Sequence, residues 1–137
     1  MKVDFYLNYA GNCADAFRFY EQHLGARIMM MMKHGDAAES RVPPDWKNNV
    51  LHATLEIGGA VVRGADIPGA EPMRSAYLTL TVDTIEEAER LYAVLSEGGQ
   101  IFMQMQETFF AKRFAMLRDR FGTSWMVLHQ EGDTRTS

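Results

Sequence analysis

Apolar residues recur three or four positions apart in two stretches of the chain, 13–24 and 85–95. This spacing places them on one side of an α-helix, so it predicts two helices of about a dozen residues each. Asn12 is the predicted N-cap of the first helix, because its short polar side chain can accept a hydrogen bond from the first turn. Thr84 and Glu87 have the spacing of a capping box at the start of the second helix.

Apolar and polar residues alternate in most of the remaining segments, which is the pattern of half-buried β-strands. Two polar stretches that contain prolines interrupt this alternation. The first, 33–49, predicts a long mobile loop, and the second, 66–74, predicts a linker between two halves of the chain. Eight strands are predicted, at 3–9, 28–33, 51–57, 60–63, 76–82, 101–106, 113–117 and 124–129.

The order strand, helix and three strands therefore occurs twice. Ala16 and Tyr20 of the first helix correspond to Ala88 and Tyr92 of the second, an offset of 72 residues in both pairs. Such a repeat is most simply explained by a duplicated βαβββ unit, which predicts an α+β fold. One helix covers only one face of its sheet, so the other face must curl around a cavity or pack against a partner.

These boundaries predict one domain over residues 1–130. Its two modules span about 1–67 and 74–130. The polar segment 131–137 is predicted to be a disordered tail.

Composition narrows the class of protein. Fourteen Lys and Arg against eighteen Asp and Glu give a net charge of −4, which argues against a nucleic-acid-binding protein. The single cysteine excludes an internal disulfide. No apolar stretch has the length of a secretory signal core or a membrane span, so we expect a cytoplasmic protein with no membrane partner.

Several short motifs are distributed along the chain. They are Gly-Asn-Cys-Ala-Asp-Ala at 11–16, Phe-Tyr at 19–20, His-Ala at 52–53, Ile-Gly-Gly at 57–59, Gln-Glu-Thr-Phe-Phe-Ala at 106–111, Phe114, Asp119, Phe-Gly at 121–122 and Trp-Met at 125–126. Together they resemble the vicinal oxygen chelate superfamily (glyoxalase, bleomycin-resistance and extradiol dioxygenase proteins), and within it the PhnB-like group. The resemblance covers residues 2 to about 130. It implies two βαβββ modules with curved mixed sheets that form a U-shaped cleft, usually completed in a homodimer.

In metal-using members of that superfamily, four His or Glu side chains bind a divalent ion that acts as a Lewis acid on the substrate. The corresponding positions here are near Phe5, the segment 63–66, Tyr77 and Val127. Phe and Val have no ligand atoms, the guanidinium of Arg63 repels a cation, and Tyr is a poor ligand for nickel or zinc. The resemblance therefore implies binding of an unknown small molecule without the usual four-ligand metal site. We predict no cofactor and assign neither a reaction nor a catalytic residue.

Two alternatives remain at this point. One is a metal-dependent lyase or dioxygenase whose divalent metal is bound by relocated ligands among His52, Glu56 and Glu107. The other is a resistance protein that sequesters a drug without chemical change. His52 and Glu56 would lie roughly 13 Å apart along one strand, which is too far for both to bind the same ion.

The candidate cleft residues combine polar strand positions with aromatic residues, a lining that suits a small, partly apolar ligand. Glu107 beside Phe109 could serve as an acid or base, or it could simply end a strand. In the first strand the alternation favours Tyr6, whereas alignment of the two halves favours Phe5. The full set is Tyr6, Asn8, His52, Thr54, Glu56, Tyr77, Gln104, Gln106, Glu107, Phe109 and Trp125.

Cys13 and the basic residues between 112 and 120 each allow both a structural and a chemical interpretation. Cys13 falls in the first turn of a helix, where the pKa of a thiol can be lowered, but a packed thiol without a His partner is the favoured interpretation. The basic residues Lys112, Arg113, Arg118 and Arg120 are interrupted by apolar ones, which favours a solvated strand edge over a phosphate site.

Overall fold

The computed structural model describes residues 1–131. Residues 132–137, all but the first residue of the predicted tail, lie outside the described residues. The chain forms two compact units, Met1–Glu71 and the part that begins at Pro72.

Each unit contains one helix and four strands in the order βαβββ, which confirms the predicted α+β fold and its duplication. In unit 1 the elements are β1 (Phe5–Tyr9), α1 (Cys13–Leu24), β2 (Arg27–Lys33), β3 (Val50–Ile57) and β4 (Ala60–Asp66). In unit 2 they are β5 (Leu78–Thr81), α2 (Ile85–Ser96), β6 (Gln100–Gln106), β7 (Arg113–Arg118) and β8 (Ser124–His129).

The two sheets have the same mixed topology. Their strand orders are β1-β4-β3-β2 and β5-β8-β7-β6. In each sheet the first strand of the unit runs parallel to the last, and the other neighbours are antiparallel. Because the helix connects strands on its own side of the sheet, it covers one face and leaves the other face open.

Packing of α1 decides which face of the unit 1 sheet is covered. Phe17 is fully buried and its ring contacts Tyr9 of β1 edge-on, with centroids 6.0 Å apart. A Cβ atom on Gly64 of β4 would lie 2.9 Å from the Phe17 ring, so glycine lets the helix approach the strand closely. Tyr9 therefore points toward the helix, and its alternate neighbours Tyr6 and Asn8 lie on the open face.

The start of α1 differs from the prediction. Asn12 makes no side-chain capping hydrogen bond. Instead Oδ1 of the buried Asp66 accepts hydrogen bonds from the backbone N–H groups of Gly11 (3.0 Å) and Cys13 (2.9 Å). A carboxylate provided by β4 thus takes the place of the local cap, because its charge suits the positive end of the helix.

At the start of α2, one of the two hydrogen bonds of the predicted capping box is present. The Thr84 hydroxyl accepts a hydrogen bond of 3.0 Å from the backbone N–H of Glu87. The Glu87 carboxylate, however, pairs with the guanidinium of Arg90 one turn further along, so its own part in a capping box is replaced by an ion pair.

The segment predicted as a mobile loop contains two short 3₁₀ helices, His34–Asp36 and Pro44–Trp46. His34 is buried, and its Nε2 lies 2.9 Å from the backbone carbonyl oxygen of Asp66. This hydrogen bond attaches the loop to the end of β4. Strand β4 itself extends beyond the predicted 60–63, because its small residues Gly64 and Ala65 carry no strand signal in the sequence.

Within residues 1–131, no helix is both long and apolar enough to cross a membrane.

Candidate functional site

The open face of the unit 1 sheet carries a group of polar side chains on three neighbouring strands. Tyr6 of β1 lies opposite Arg63 of β4, and Arg63 lies opposite Thr54 of β3. His52 and Thr54 alternate with residues that face α1, as Tyr6 and Asn8 do in β1. We call this set the polar face: Tyr6, Asn8, His52, Thr54 and Arg63.

A hydrogen bond joins Tyr6 and His52 on the polar face. The Tyr6 hydroxyl lies 3.0 Å from His52 Nδ1, and the two ring centroids are 5.6 Å apart. Desolvation, followed by the nearby Cys13 thiol, raises the pKa of Tyr6, so the phenol keeps its proton at neutral pH. In the Nε2–H tautomer of His52, Tyr6 donates to Nδ1 and Nε2–H remains as a donor to a ligand.

Arg63 brings a positive charge to the centre of the same face. Its Nη1 lies 3.0 Å from a carboxylate oxygen of Asp4, which precedes β1. The Arg63 side chain is 32% exposed, but Nη1 itself is buried and, within the described residues, has no partner beyond this ion pair. The polar face can therefore present a phenol, an imidazole, an amide and a guanidinium to a ligand with several oxygen atoms.

Metal ligation at the relocated positions finds little support in the contacts. Glu56 pairs with Arg27 across β2 and β3 at 3.2 Å, and Glu107 lies 3.7 Å from the Lys112 ammonium. Each candidate ligand thus has a partner of its own. Among residues 1–131, no three His, Cys, Asp or Glu side chains form a group that could hold a metal ion.

Comparison with known proteins places this geometry in a family. The model of the Glyoxalase/Bleomycin resistance protein/Dioxygenase superfamily matches residues 2–127. This chain belongs to that superfamily. The superfamily to which the sequence motifs pointed is thereby confirmed.

Individual proteins are similar to this chain over almost its whole length. YjdN of Escherichia coli is 32% identical over 93% of this chain and 94% of its own length. Protein PA1353 from Pseudomonas aeruginosa has 39% identity and a TM-score of 0.84, covering 95% of this chain and 98% of the other. The PhnB protein from Bacillus cereus has 24% identity and a TM-score of 0.79, with 94% and 99% coverage, and this likeness concerns the fold.

Three of the four positions that the resemblance assigns to metal ligands do not fit a metal in this chain. Phe5 lacks ligand atoms, and Val127 is a fully buried apolar residue of β8. Asp66 is the one carboxylate in the segment 63–66, and both of its oxygens accept backbone hydrogen bonds, Oδ2 from the N–H of Val50 at 2.8 Å. Val127 thus belongs to the core and Asp66 to the backbone hydrogen bonds of unit 1, so we derive no chemical step through a metal.

Unit 2 contains a separate concavity beside the β6–β7 connection. It has a volume of about 440 Å³ and is flanked by Glu107, Phe109 and Lys112. Phe109 is completely exposed and its ring contacts that of Phe110, with centroids 5.1 Å apart. Glu107 and Phe109 therefore do come together, but the Glu107 carboxylate is exposed and lies near an ammonium group.

The remaining candidates are dispersed within unit 2. Tyr77 precedes β5 and accepts a hydrogen bond of 3.2 Å from Arg74. Gln104 and Gln106 lie on the edge strand β6, where the Gln106 amide donates to the Gln104 carbonyl. Trp125 is 1% exposed and its indole N–H donates to Asp119 at 2.9 Å, so it is a core residue.

Two residues of importance were not among the candidates. Arg63 alternates with apolar residues in β4, and that period of two is the signal that could have assigned it to the open face. Asp4 precedes the strand and has no periodic signal. Only the fold brings its carboxylate to Arg63.

Proposed function

We propose that this chain binds a small molecule on the polar face, as a PhnB-like member of its superfamily that operates without the usual four-ligand metal site. The observation that carries the proposal is the hydrogen bond between Tyr6 and His52 on the sheet face that α1 leaves open. Two rigid polar rings fixed against each other form a preorganised recognition element, which reduces the entropy lost on binding.

The chemistry of the polar face favours a ligand rich in oxygen atoms. Tyr6, the amide of Asn8 and the imidazole of His52 offer both donors and acceptors, whereas Arg63 offers donors only. The Asp4 carboxylate moderates the charge of Arg63, so a neutral or singly charged ligand suits the face.

We expect no resident metal. Protein purified without chelators should contain far less than one equivalent of any divalent ion by mass spectrometry.

The experiment is a fragment screen by two-dimensional NMR of the labelled protein, using small carbonyl, diol and phenol compounds. Hits should shift the amide signals of Tyr6, Asn8, His52 and Thr54. Tyr6→Phe and His52→Gln each remove one side of the hydrogen bond and should weaken these hits about tenfold, close to one lost hydrogen bond. Thr79→Val, at an exposed position of β5, is the control and should leave them unchanged.

The proposal is rejected if no compound shifts these signals, or if hits bind Tyr6→Phe and His52→Gln as tightly as the original protein. Near-stoichiometric metal that is lost in His52→Gln would replace the proposal with the metal-dependent alternative.

A further inference from the structure

Two arginine side chains of unit 2 meet on one aromatic ring. The guanidinium carbon of Arg74 lies 4.0 Å from the ring centroid of Phe102, and that of Arg118 lies 5.5 Å from it. Arg74 belongs to the segment before β5, Phe102 to β6 and Arg118 to β7. The fold, and not proximity in sequence, therefore assembles this cluster.

Hydrogen bonds position both guanidinium groups. Arg118 donates from Nη1 to the carbonyl oxygen of Met73 at 3.4 Å and from Nη2 to the Gln100 side chain at 3.0 Å. Because Met73 adjoins Arg74, the first of these bonds keeps the two arginines near each other. Arg74 in turn donates from Nη1 to the Tyr77 hydroxyl at 3.2 Å.

The acceptors in this cluster are all neutral, which sets these two arginines apart from others in the chain. Arg27, Arg63, Arg90 and Arg113 each lie within 3.2 Å of a carboxylate oxygen. In the part of the chain that the structure describes, no ion pair joins Arg74 or Arg118 to a carboxylate. Among residues 1–131, two positive charges thus gather without an ion-pair partner, in a protein whose net charge is −4.

We infer that Arg74, Arg118 and Tyr77 form an oxyanion-binding site, with Phe102 as its aromatic platform. An arginine already positioned over a ring loses less side-chain entropy on binding, and its planar fork matches the oxygens of a carboxylate or a phosphate. The Tyr77 hydroxyl adds a neutral hydrogen-bonding group next to Arg74. The ligand class is a small oxyanion or the anionic end of a larger molecule.

This site uses residues other than those of the polar face, so it stands or falls separately from the proposed function. It also revises the interpretation of Arg118 as part of a solvated strand edge. The sequence showed only an interrupted basic stretch in β7, whereas the fold adds Arg74 and an aromatic ring from other segments.

The test is a titration with sodium phosphate and, separately, with sodium benzoate, at constant ionic strength maintained with sodium chloride. Side-chain Nε–H signals of arginine, observed by NMR, report directly on the two guanidinium groups. We expect both Arg74 and Arg118 signals to shift with at least one anion. The double variant R74Q/R118Q should bind that anion at least tenfold more weakly.

Two variants serve to separate binding from folding. R74Q alone removes an exposed guanidinium whose contacts are Tyr77 and Phe102, and it should weaken binding by about threefold to tenfold with an unchanged amide spectrum elsewhere. R90Q is the matched control, because Arg90 is paired with Glu87, and it should bind as the original protein does.

A response to phosphate alone would assign the site to phosphate-type anions, and a response to benzoate alone would assign it to aromatic carboxylates. The inference is overturned if neither anion shifts the two arginine signals, or if R74Q and R74Q/R118Q bind both anions unchanged.

Discussion

Cys13 shows how strongly the surroundings of one residue control its chemistry. Its thiol is fully buried, and burial, followed by the nearby Asp66 carboxylate, raises the pKa of Cys13 to about 12. The position at a helix N-terminus would by itself favour the thiolate. Desolvation and the neighbouring negative charge act in the opposite direction and prevail, so the packed-thiol interpretation agrees with the structure.

We therefore predict that Cys13 resists alkylation in the folded protein. With its pKa raised from 9.0 to about 12, the thiolate fraction near neutral pH falls by about a thousandfold. Iodoacetamide labelling at pH 8, followed by mass spectrometry, should be at least a hundredfold slower in buffer than in concentrated urea.

The raised pKa of Cys13 also makes the stability of the folded protein depend on pH. Because the folded pKa exceeds the unfolded one, stability from the neutral thiol is complete below pH 9 and is lost as pH rises toward 12. Cys13→Ala should lack this part of the alkaline decline in urea unfolding. Rapid alkylation of Cys13 in the folded protein at pH 8 would contradict the raised pKa of this thiol.

At the scale of elements, Asp66 connects three segments of unit 1. Its two carboxylate oxygens accept hydrogen bonds from the backbone of Gly11, Cys13 and Val50, which belong to the start of α1 and the start of β3. The backbone carbonyl of Asp66 also lies within hydrogen-bond distance of the His34 ring. One residue at the end of β4 thus joins the helix, the neighbouring strand and the long loop.

Asp66→Ala should lower the free energy of unfolding by about 3 kcal/mol, because it leaves several backbone donors without an acceptor, some of them buried. Urea unfolding monitored by circular dichroism measures this change. The matched control is Asp15→Ala, an exposed carboxylate in the first turn of the same helix, which should cost under about 1 kcal/mol. Equal effects of the two substitutions would mean that Asp66 contributes only its charge to the helix.

At the scale of the whole molecule, unit 2 exposes aromatic side chains that a second copy of the chain could cover. Phe109 is 100% exposed and Phe110 43%, and their rings pack edge-on. Phe110 in turn contacts Phe114 of β7, which anchors this pair to the sheet. Burial of one such side chain stabilises an association by about 1.5–3 kcal/mol.

We propose a homodimer in which these two rings contact the partner copy. Light scattering over a tenfold dilution series should detect the dimer. The double variant F109S/F110S should raise its dissociation constant at least tenfold, since two apolar side chains are lost from each copy. Ile67→Ser, which removes another exposed apolar side chain, should have no effect. A monomer at every concentration, or an unchanged dimer in F109S/F110S, would contradict the proposal.

Local patterns predicted the elements well and their mutual positions poorly. The helix over 13–24 follows from its apolar spacing, but its cap is Asp66, which lies more than fifty residues away. In β1 the alternation favoured Tyr6 as the cleft residue, whereas alignment of the two halves favoured Phe5, so the sequence left the choice open. The contact of Tyr9 with Phe17 settles which side of the strand faces the helix.

The candidate site shows the same division. His52 and Tyr6 were both candidates. The alternation of apolar and polar residues within each strand, however, does not indicate that two residues 46 positions apart share a hydrogen bond. Trp125 looked like an aromatic wall residue. Its hydrogen bond to Asp119 in the core of unit 2 depends on the β7–β8 turn.

The sequence by itself determined the two helices, the eight strands, their duplication and the superfamily, because these depend on periodicity and short motifs that neighbouring residues carry. Only the tertiary structure decided which side chains meet: Tyr6 with His52, and Arg74 with Arg118 on Phe102. Such contacts depend on strand register and on the face that each helix buries. These in turn are fixed by packing between residues that are distant in the chain.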